Sequence, residues 1–346
     1  HFALQLLLIV LTAAVGPLHA ARPRVFVFTD INIDAGDPDD RQSLVHLFWY
    51  ADELEITGIV PDRWEAHGLE ACEQVLEAYA RDHADLDLGT RGYPMADVLR
   101  SRIARNVDEA MLRFQDAALG SDEPLWVLVW GNMVNVGRAL RAYPQTVDRV
   151  RLVTIATGLM HEPERRFLPP DWERTEPCRQ PNWNGAGRDE LFADPRFRSL
   201  WWLEMNWSYS GMFTGSEPAQ MLEKLTHFGA MGRHMEDVIR SQPWARYFRV
   251  GDTPTVLYLI DPRRDESDPA RRTWAGQFRR PMPEERPSYF TDDAGTIDWD
   301  YHDPCRTWAH HELVHAHSAA TLERERPAMY QALLDKLERI YGRGAR

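Results

Sequence analysis

Between the apolar run Val25-Phe26-Val27-Phe28 and the helix-like stretch Arg41–Phe48, five carboxylates crowd into one turn: Asp30, Asp34, Asp37, Asp39 and Asp40. A cation relieves their mutual repulsion, and hard divalent ions take about six to eight oxygen ligands. The carboxyl end of a strand opening onto a helix is also where open α/β sheets place their ligands. These residue types point to a calcium site, against the plainer reading of a solvated acidic loop in which Asp39 or Asp40 caps the helix. A competing cluster, His311-Glu312-Leu313-Val314-His315, is a literal H-E-x-x-H. On a helix that spacing puts two histidines on one face for zinc, with the glutamate as base. Glu323, Glu325 or Glu338 would have to supply the third ligand. The plainer reading is a surface helix with ordinary polar i, i+4 pairs.

The elements that must position these residues are legible as apolar runs at Val25–Phe28, Ile56–Val60, Leu125–Trp130, Val150–Ile155, Leu200–Met205 and Thr255–Ile260, with amphipathic stretches between them. This alternation predicts βαβ units, hence an α/β fold whose mainly parallel sheet is covered by helices on both faces. Gly131-Asn132 closes the third run and opens a helix over Met133–Ala142, so Asn132 is an N-cap, a residue lining the crevice at the strand ends, or both. Trp64, just past the second run, lines the same crevice or belongs to the core. Residues Arg306–Tyr341 carry apolar positions at helical spacing and predict one or two helices across the sheet. The Pro- and Arg-rich segments His161–Gln180 and Asp261–Pro287 read as long surface loops of the kind that serve as lids or insertions. No repeat and no Gly/Ser linker divides the chain, which reads as one domain over 21–346.

With 346 residues and 44% hydrophobic content the chain has enough apolar material for a large core. A net charge of −13 and the lack of a basic stripe argue against nucleic acid as a partner. Thirteen tryptophans suit stacking on sugar or base faces, or simply a core. Residues 1–20 resemble the apolar region and small-residue cleavage site of a signal peptide, which predicts export to the periplasm or medium with no stable membrane span after removal. Cys72, Cys178 and Cys305 cannot all pair within the chain and are not spaced as a CxxC motif; a Cys178–Cys305 bond is compatible with the sequence without following from it.

Several of these segments together resemble the nucleoside hydrolase superfamily, and more closely the nucleoside-hydrolase-like domain of exported bacterial proteins sometimes linked to carbohydrate-binding modules. They are Arg24–Asp30 with Asp37–Val45, Gly92-Tyr93-Pro94, Pro124–Asn132, Gly251-Asp252-Thr253-Pro254 and Trp274-Ala275-Gly276. The resemblance implies one calcium ion that binds ribose hydroxyls and the attacking water. Asp30 would be calcium ligand and general base, Asp39 the ribose contact, Asp40 a second ligand and Asp252 the distant one. The carbonyl of Thr154 would complete the shell, and Asn182 and Asn184 resemble sugar-contacting asparagines. A carboxylate beside an acidified water takes its proton, and nearby negative charge steadies the cation-like sugar as the C–N bond breaks.

Two departures from the family pattern bear on chemistry. Eight residues separate Asp30 from Asp39, where the superfamily's turn is compact, so Asp34 or Asp37 can stand in as ligands. The family's histidine, which protonates the leaving base, is replaced by Gly251; a purine would lack its acid unless His234, His67 or a tyrosine supplies the proton. The expectation is therefore a calcium-dependent hydrolase of N-ribosyl or related glycosidic bonds acting on a small nucleoside or sugar. The alternatives are a non-catalytic carbohydrate- or nucleoside-binding module and, third, a zinc peptidase built on His311 and His315. A homo-oligomer is compatible with the sequence.

Overall fold

The computed structural model describes residues 22–33, 38–158, 177–179, 182–240 and 247–342. The segment read as a signal peptide, Asp34 and Asp37, and most of the loop His161–Gln180 lie outside the described residues.

Seven strands form one sheet in the order β2-β1-β3-β4-β5-β7-β6. They are β1 (Arg24–Thr29), β2 (Glu55–Pro61), β3 (Leu125–Val129), β4 (Val150–Ile155), β5 (Trp201–Met205), β6 (Phe278–Arg279) and β7 (Tyr289–Asp292). All neighbours run parallel except β6, which pairs antiparallel with β7 at the edge. The strands are apolar at nearly every position because both faces are covered. Val25 and Val27 face one core with Trp126, Leu128 and Leu203, while Phe26 and Phe28 face another with Val127, Val129 and Trp202. Alternation along each strand feeds two separate cores.

On the first face lie α1 (Asp39–Trp49), α2 (Gly68–Asp85), α8 (Gly229–Asp237), α9 (Pro254–Ile260) and α11 (Arg326–Tyr341). On the second lie α4 (Val107–Leu119), α5 (Val134–Ala142) and α6 (Arg188–Ala193). The remaining helices are α3 (Ala96–Arg102), α7 (Glu217–Leu225) and α10 (His311–Glu323). The C-terminal tail forms two helices, and Leu333 and Leu337 on α11 are buried in the first core. A disulfide joins Cys178 to Cys305, and Cys72 is a buried free thiol. No helix among the described residues is long and apolar enough to cross a membrane.

The run Thr255–Ile260, expected as a strand, is helix α9. The apolar residues Val256 to Leu259, all buried, carry no period that separates helix from strand. The deciding signal is local: Pro254 occupies the first helical turn, where its missing N–H costs nothing, and the Asp252 carbonyl accepts the Thr255 amide at 3.1 Å. The short strands β6 and β7, inside or beside the expected loop Asp261–Pro287, complete the sheet.

Candidate functional site

Chain order places the site. Strand β1 continues on one side to β2 and on the other to β3, so the strand order reverses beside β1, and such a switch point opens a crevice at the carboxyl ends. Three strands end there together: the Asp62 amide bonds the Thr29 carbonyl at 2.7 Å and the Trp130 amide bonds the Phe28 carbonyl at 2.7 Å. Asp30 follows β1 directly. Gly131, following β3, packs so closely on it that a Cβ there would stand 2.9 Å from the Asp30 Cβ and amide nitrogen. A glycine is what lets the two strand ends approach.

Asp39 and Asp40 occupy the first turn of α1, where the helix dipole favours negative charge. The Thr29 hydroxyl donates to Asp40 Oδ1, and the Ile31 amide donates to that hydroxyl at 3.1 Å. Asp252, more than 200 residues further on, enters ahead of α9. Asp39, Asp40 and Asp252 each present an oxygen within 4.8 Å of the others, the only such group of three among the described residues. Two oxygens bound to one hard cation at about 2.3–2.6 Å lie at most about 5 Å apart, so the donor set fits one such ion. Burial, then the carboxylates of Asp252, Asp30 and Asp39, push Asp40 well above the usual carboxylate range against the pull of the Thr29 hydroxyl. Behind Asp252, burial pushes His46 down to about 3, and its Nδ1 lies 3.1 Å from the Thr253 hydroxyl. That imidazole is neutral and adds no counter-charge.

Asp30 stands beside this group rather than inside it, raising both Asp40 and Asp62. Asp62, at the end of β2, is pushed up to about 7 by burial, and its Oδ1 accepts the Asn135 amide at 2.9 Å. One wall of the centre is aromatic. A Cβ at Gly251 would meet Asp39 Oδ2 at 2.4 Å and Phe213 Cζ at 3.3 Å, and Phe213 packs on Tyr209, Tyr247 and the Arg249 guanidinium. Asp39 thus fills the volume that a side chain at position 251 would need.

Other residues singled out from the sequence hold structure. The Asn132 side-chain oxygen accepts the Val134 amide at 3.0 Å, just ahead of α5, whose N-cap position is Met133. Asn182 donates to the Asn206 carbonyl at 2.8 Å and accepts the Trp183 amide at 2.8 Å. Asn184 bonds the Ile155 carbonyl through its side chain and the Ala156 carbonyl through its amide, steadying Ala156 in a left-handed turn at φ 54°. That conformation costs a non-glycine residue of order 1 kcal/mol. Trp64 is half-buried with its indole on the Ala104 carbonyl at 3.2 Å. Thr154 lies on β4, two strands from β1, its hydroxyl 2.8 Å from Thr157 and 3.0 Å from the Trp202 indole. His234 is buried and pushed down to about 4.

The H-E-x-x-H histidines are engaged separately. His311 stacks on Trp308 at 4.5 Å with its Nδ1 2.7 Å from the Trp308 carbonyl, and His315 Nε2 lies 3.0 Å from the Ser210 hydroxyl. No third ligand joins them among the described residues.

Sequence reasoning missed a buried polar cluster at the ends of β5 and β7. Arg188 holds Glu204 through two bonds of 3.0 and 2.8 Å, and Tyr289 and Thr157 donate to the same carboxylate at 2.5 and 2.8 Å. Asp292 ends β7 as Asp30 follows β1, an acid after an apolar run. That pattern was the available signal.

Residues 24–160 match the family described as "Cellulose-binding Sde182, nucleoside hydrolase-like domain". Among solved structures, a nucleoside hydrolase-related protein from Saccharophagus degradans, associated with carbohydrate metabolism, is similar at 17% identity, over 93% of this chain and 72% of that one, with a TM-score of 0.58. An inosine-uridine preferring nucleoside hydrolase from Bacillus anthracis is matched at 16% identity, over 78% of this chain and 90% of that one, with a TM-score of 0.46. An inosine-guanosine nucleoside hydrolase is matched at 13% identity, over 93% and 99%, with a TM-score of 0.49. No curated protein matches by sequence. The resemblance read from the acidic turn and the strand motifs therefore holds: the chain has a nucleoside hydrolase-like α/β fold.

Proposed function

We propose that the chain is a calcium-dependent hydrolase of N-ribosyl or related glycosidic bonds, with Asp39, Asp40 and Asp252 as metal ligands and Asp30 as general base. The observation that carries this reading is the convergence of Asp39, Asp40 and Asp252 on one point at the strand-order switch. Burial and then the neighbouring carboxylates push Asp40 upward, and a hard divalent cation matches the oxygens of the three. Bound there, calcium would acidify a water and orient sugar hydroxyls. Asp30, next to the group, is placed to take a proton from a nucleophile, and Asp39, half-exposed beside Phe213, to accept from a sugar hydroxyl. The carboxylates also steady positive charge that develops on the sugar as the leaving group departs. The disulfide supports a place outside the cytoplasm, in the periplasm or medium.

The second reading, a sugar- or nucleoside-binding module, draws on Gly251. With Asp39 in the space beside it, this position supplies no acid for a leaving base. One assay separates the two readings: release of nitrophenol from a nitrophenyl riboside by metal-stripped protein, with and without added calcium. The hydrolase reading expects calcium-dependent release that Asp30→Asn abolishes. If no activated riboside or glycoside is cleaved while a sugar binds with calcium present, the binding-module reading stands instead.

A further inference from the structure

A second concavity, lined by neither Asp30, Asp39, Asp40 nor Asp252, opens at the carboxyl ends of β5 and β7 and encloses about 210 Å³. Trp207, Trp299, Tyr301 and Phe192 supply aromatic walls. Asp292, 3% exposed, also lines it. Asp292 Oδ2 accepts the Trp207 amide at 2.6 Å, whereas Oδ1 meets no hydrogen-bond partner among the described residues. A buried acceptor left in that state has lost its water without regaining a hydrogen bond, and a ligand's donor would restore one. Arg188 reaches the same pocket but is neutralised by its paired bonds to Glu204.

We propose that this pocket is a carbohydrate subsite that binds one neutral sugar ring, a ring face against the aromatic wall and a hydroxyl donating to Asp292 Oδ1. Charge selects the class: Arg179 and Arg188 in the lining are outnumbered by Asp189, Asp292 and the Glu204 that pairs with Arg188, so no excess of positive charge attracts an anion. Burial pushes Asp292 up to about 7, against the pull of the Trp207 amide and the Ser208 hydroxyl, so above that pH it meets a sugar hydroxyl as an acceptor. Size limits the ligand to a ring, since pockets for larger organic ligands start at about 300 Å³.

Distance sets the role. Strands lie about 4.8 Å apart, so β7, four steps along the sheet, ends roughly 19 Å from the end of β1. None of Asp39, Asp40 and Asp252 lines this pocket, which makes it a separate binding place. Tyr209, whose hydroxyl is raised chiefly by burial and further by Asp39 and Asp292, lies within electrostatic reach of both. If the hydrolase reading holds, the pocket grips a remote unit of an extended glycoside; the sugar binding itself does not depend on that reading.

Titration of cellobiose, with glucose and inosine as comparisons, into the full chain tests this by calorimetry and tryptophan fluorescence in a calcium chelator. Saturable cellobiose binding is expected, weakened about tenfold or more by Trp299→Ala, the loss of one hydrogen bond or stacking face. Asp292→Asn, which keeps the shape and the Trp207 contact but replaces an acceptor by a donor, should weaken it similarly. Asp252→Asn should leave the affinity within about twofold of wild type, which separates this site from the acid centre. Failure of cellobiose and glucose to bind, or equal binding in wild type, Trp299→Ala and Asp292→Asn, overturns the proposal. So does binding of inosine alone through Trp299 and Asp292.

Discussion

Replacing Gly251 by alanine adds one methyl group at the most crowded point of the acid centre. Its carbon would stand 2.4 Å from Asp39 Oδ2 and 3.5 Å from Asp39 Cγ, about 1 Å inside ordinary contact distance. The nearest atom is the tip of a half-exposed side chain, so Asp39 can rotate away at a rotamer cost of about 0.5–1.5 kcal/mol. The fold should therefore survive, while the group of three loses one oxygen donor. If calcium affinity falls about tenfold, linkage at a calcium concentration near 100 Kd drops from about 2.7 to about 1.4 kcal/mol of stabilisation. At roughly 2–4 °C per kcal/mol for a domain of a few hundred residues, the calcium-induced rise in Tm should shrink by roughly half, or about 3–5 °C. Thermal melts of wild type and Gly251→Ala, each with calcium and with chelator, read this directly. An unchanged calcium shift in the variant would show that Asp39 does not hold the ion. A metal-free Tm lower by more than about 10 °C would show that the strain falls on backbone rather than on the Asp39 tip.

A nitrophenyl riboside should be cleaved faster than inosine by about 10²–10⁴-fold, the usual worth of an absent general acid; equal rates would mean that another side chain has taken over the proton. Reducing the Cys178–Cys305 bond, which spans 127 residues, should lower unfolding free energy by about 5 kcal/mol on the chain-entropy argument, and a loss below about 1 kcal/mol in denaturant melts would refute it. Asp292 is raised in the folded state from an ordinary 3.8 to about 7, so the folded protein binds more protons than the unfolded one between those values. Stability should then fall as pH rises from about 4 through 7. Asp292→Asn should remove up to about 4 kcal/mol of that fall, and an identical pH profile in the variant would contradict the assignment.

What the sequence made legible was local. The strands β1 to β5 read correctly because each is a continuous apolar run of ordinary strand length, and Asp30, Asp39 and Asp40 read as a site because they crowd one turn. Thr255–Ile260 misled because the burial of Val256 to Leu259 erases periodicity, and β7 was missed because four residues after Pro287 carry too little pattern. The H-E-x-x-H matched a motif in spacing alone: Trp308 and Ser210, remote from it in function, engage the ring nitrogens. Asn182 and Asn184 look like ligand contacts on paper, yet their amides tie a loop to the strand ends. The buried Arg188–Glu204 pair and the Asp292 pocket depend on β5 and β7 lying side by side, a pairing between segments more than 80 residues apart that no window of sequence displays.

Calcium titration into metal-stripped protein, followed by calorimetry for wild type and Asp252→Asn, tests the central claim most directly. One stoichiometric site in the wild type, lost in Asp252→Asn while both remain folded, is the predicted result, because Asp252 is the ligand that only the tertiary fold delivers to the acidic turn. Absence of calcium binding in the wild type, or equal binding in the variant, would contradict a metal centre built on Asp39, Asp40 and Asp252.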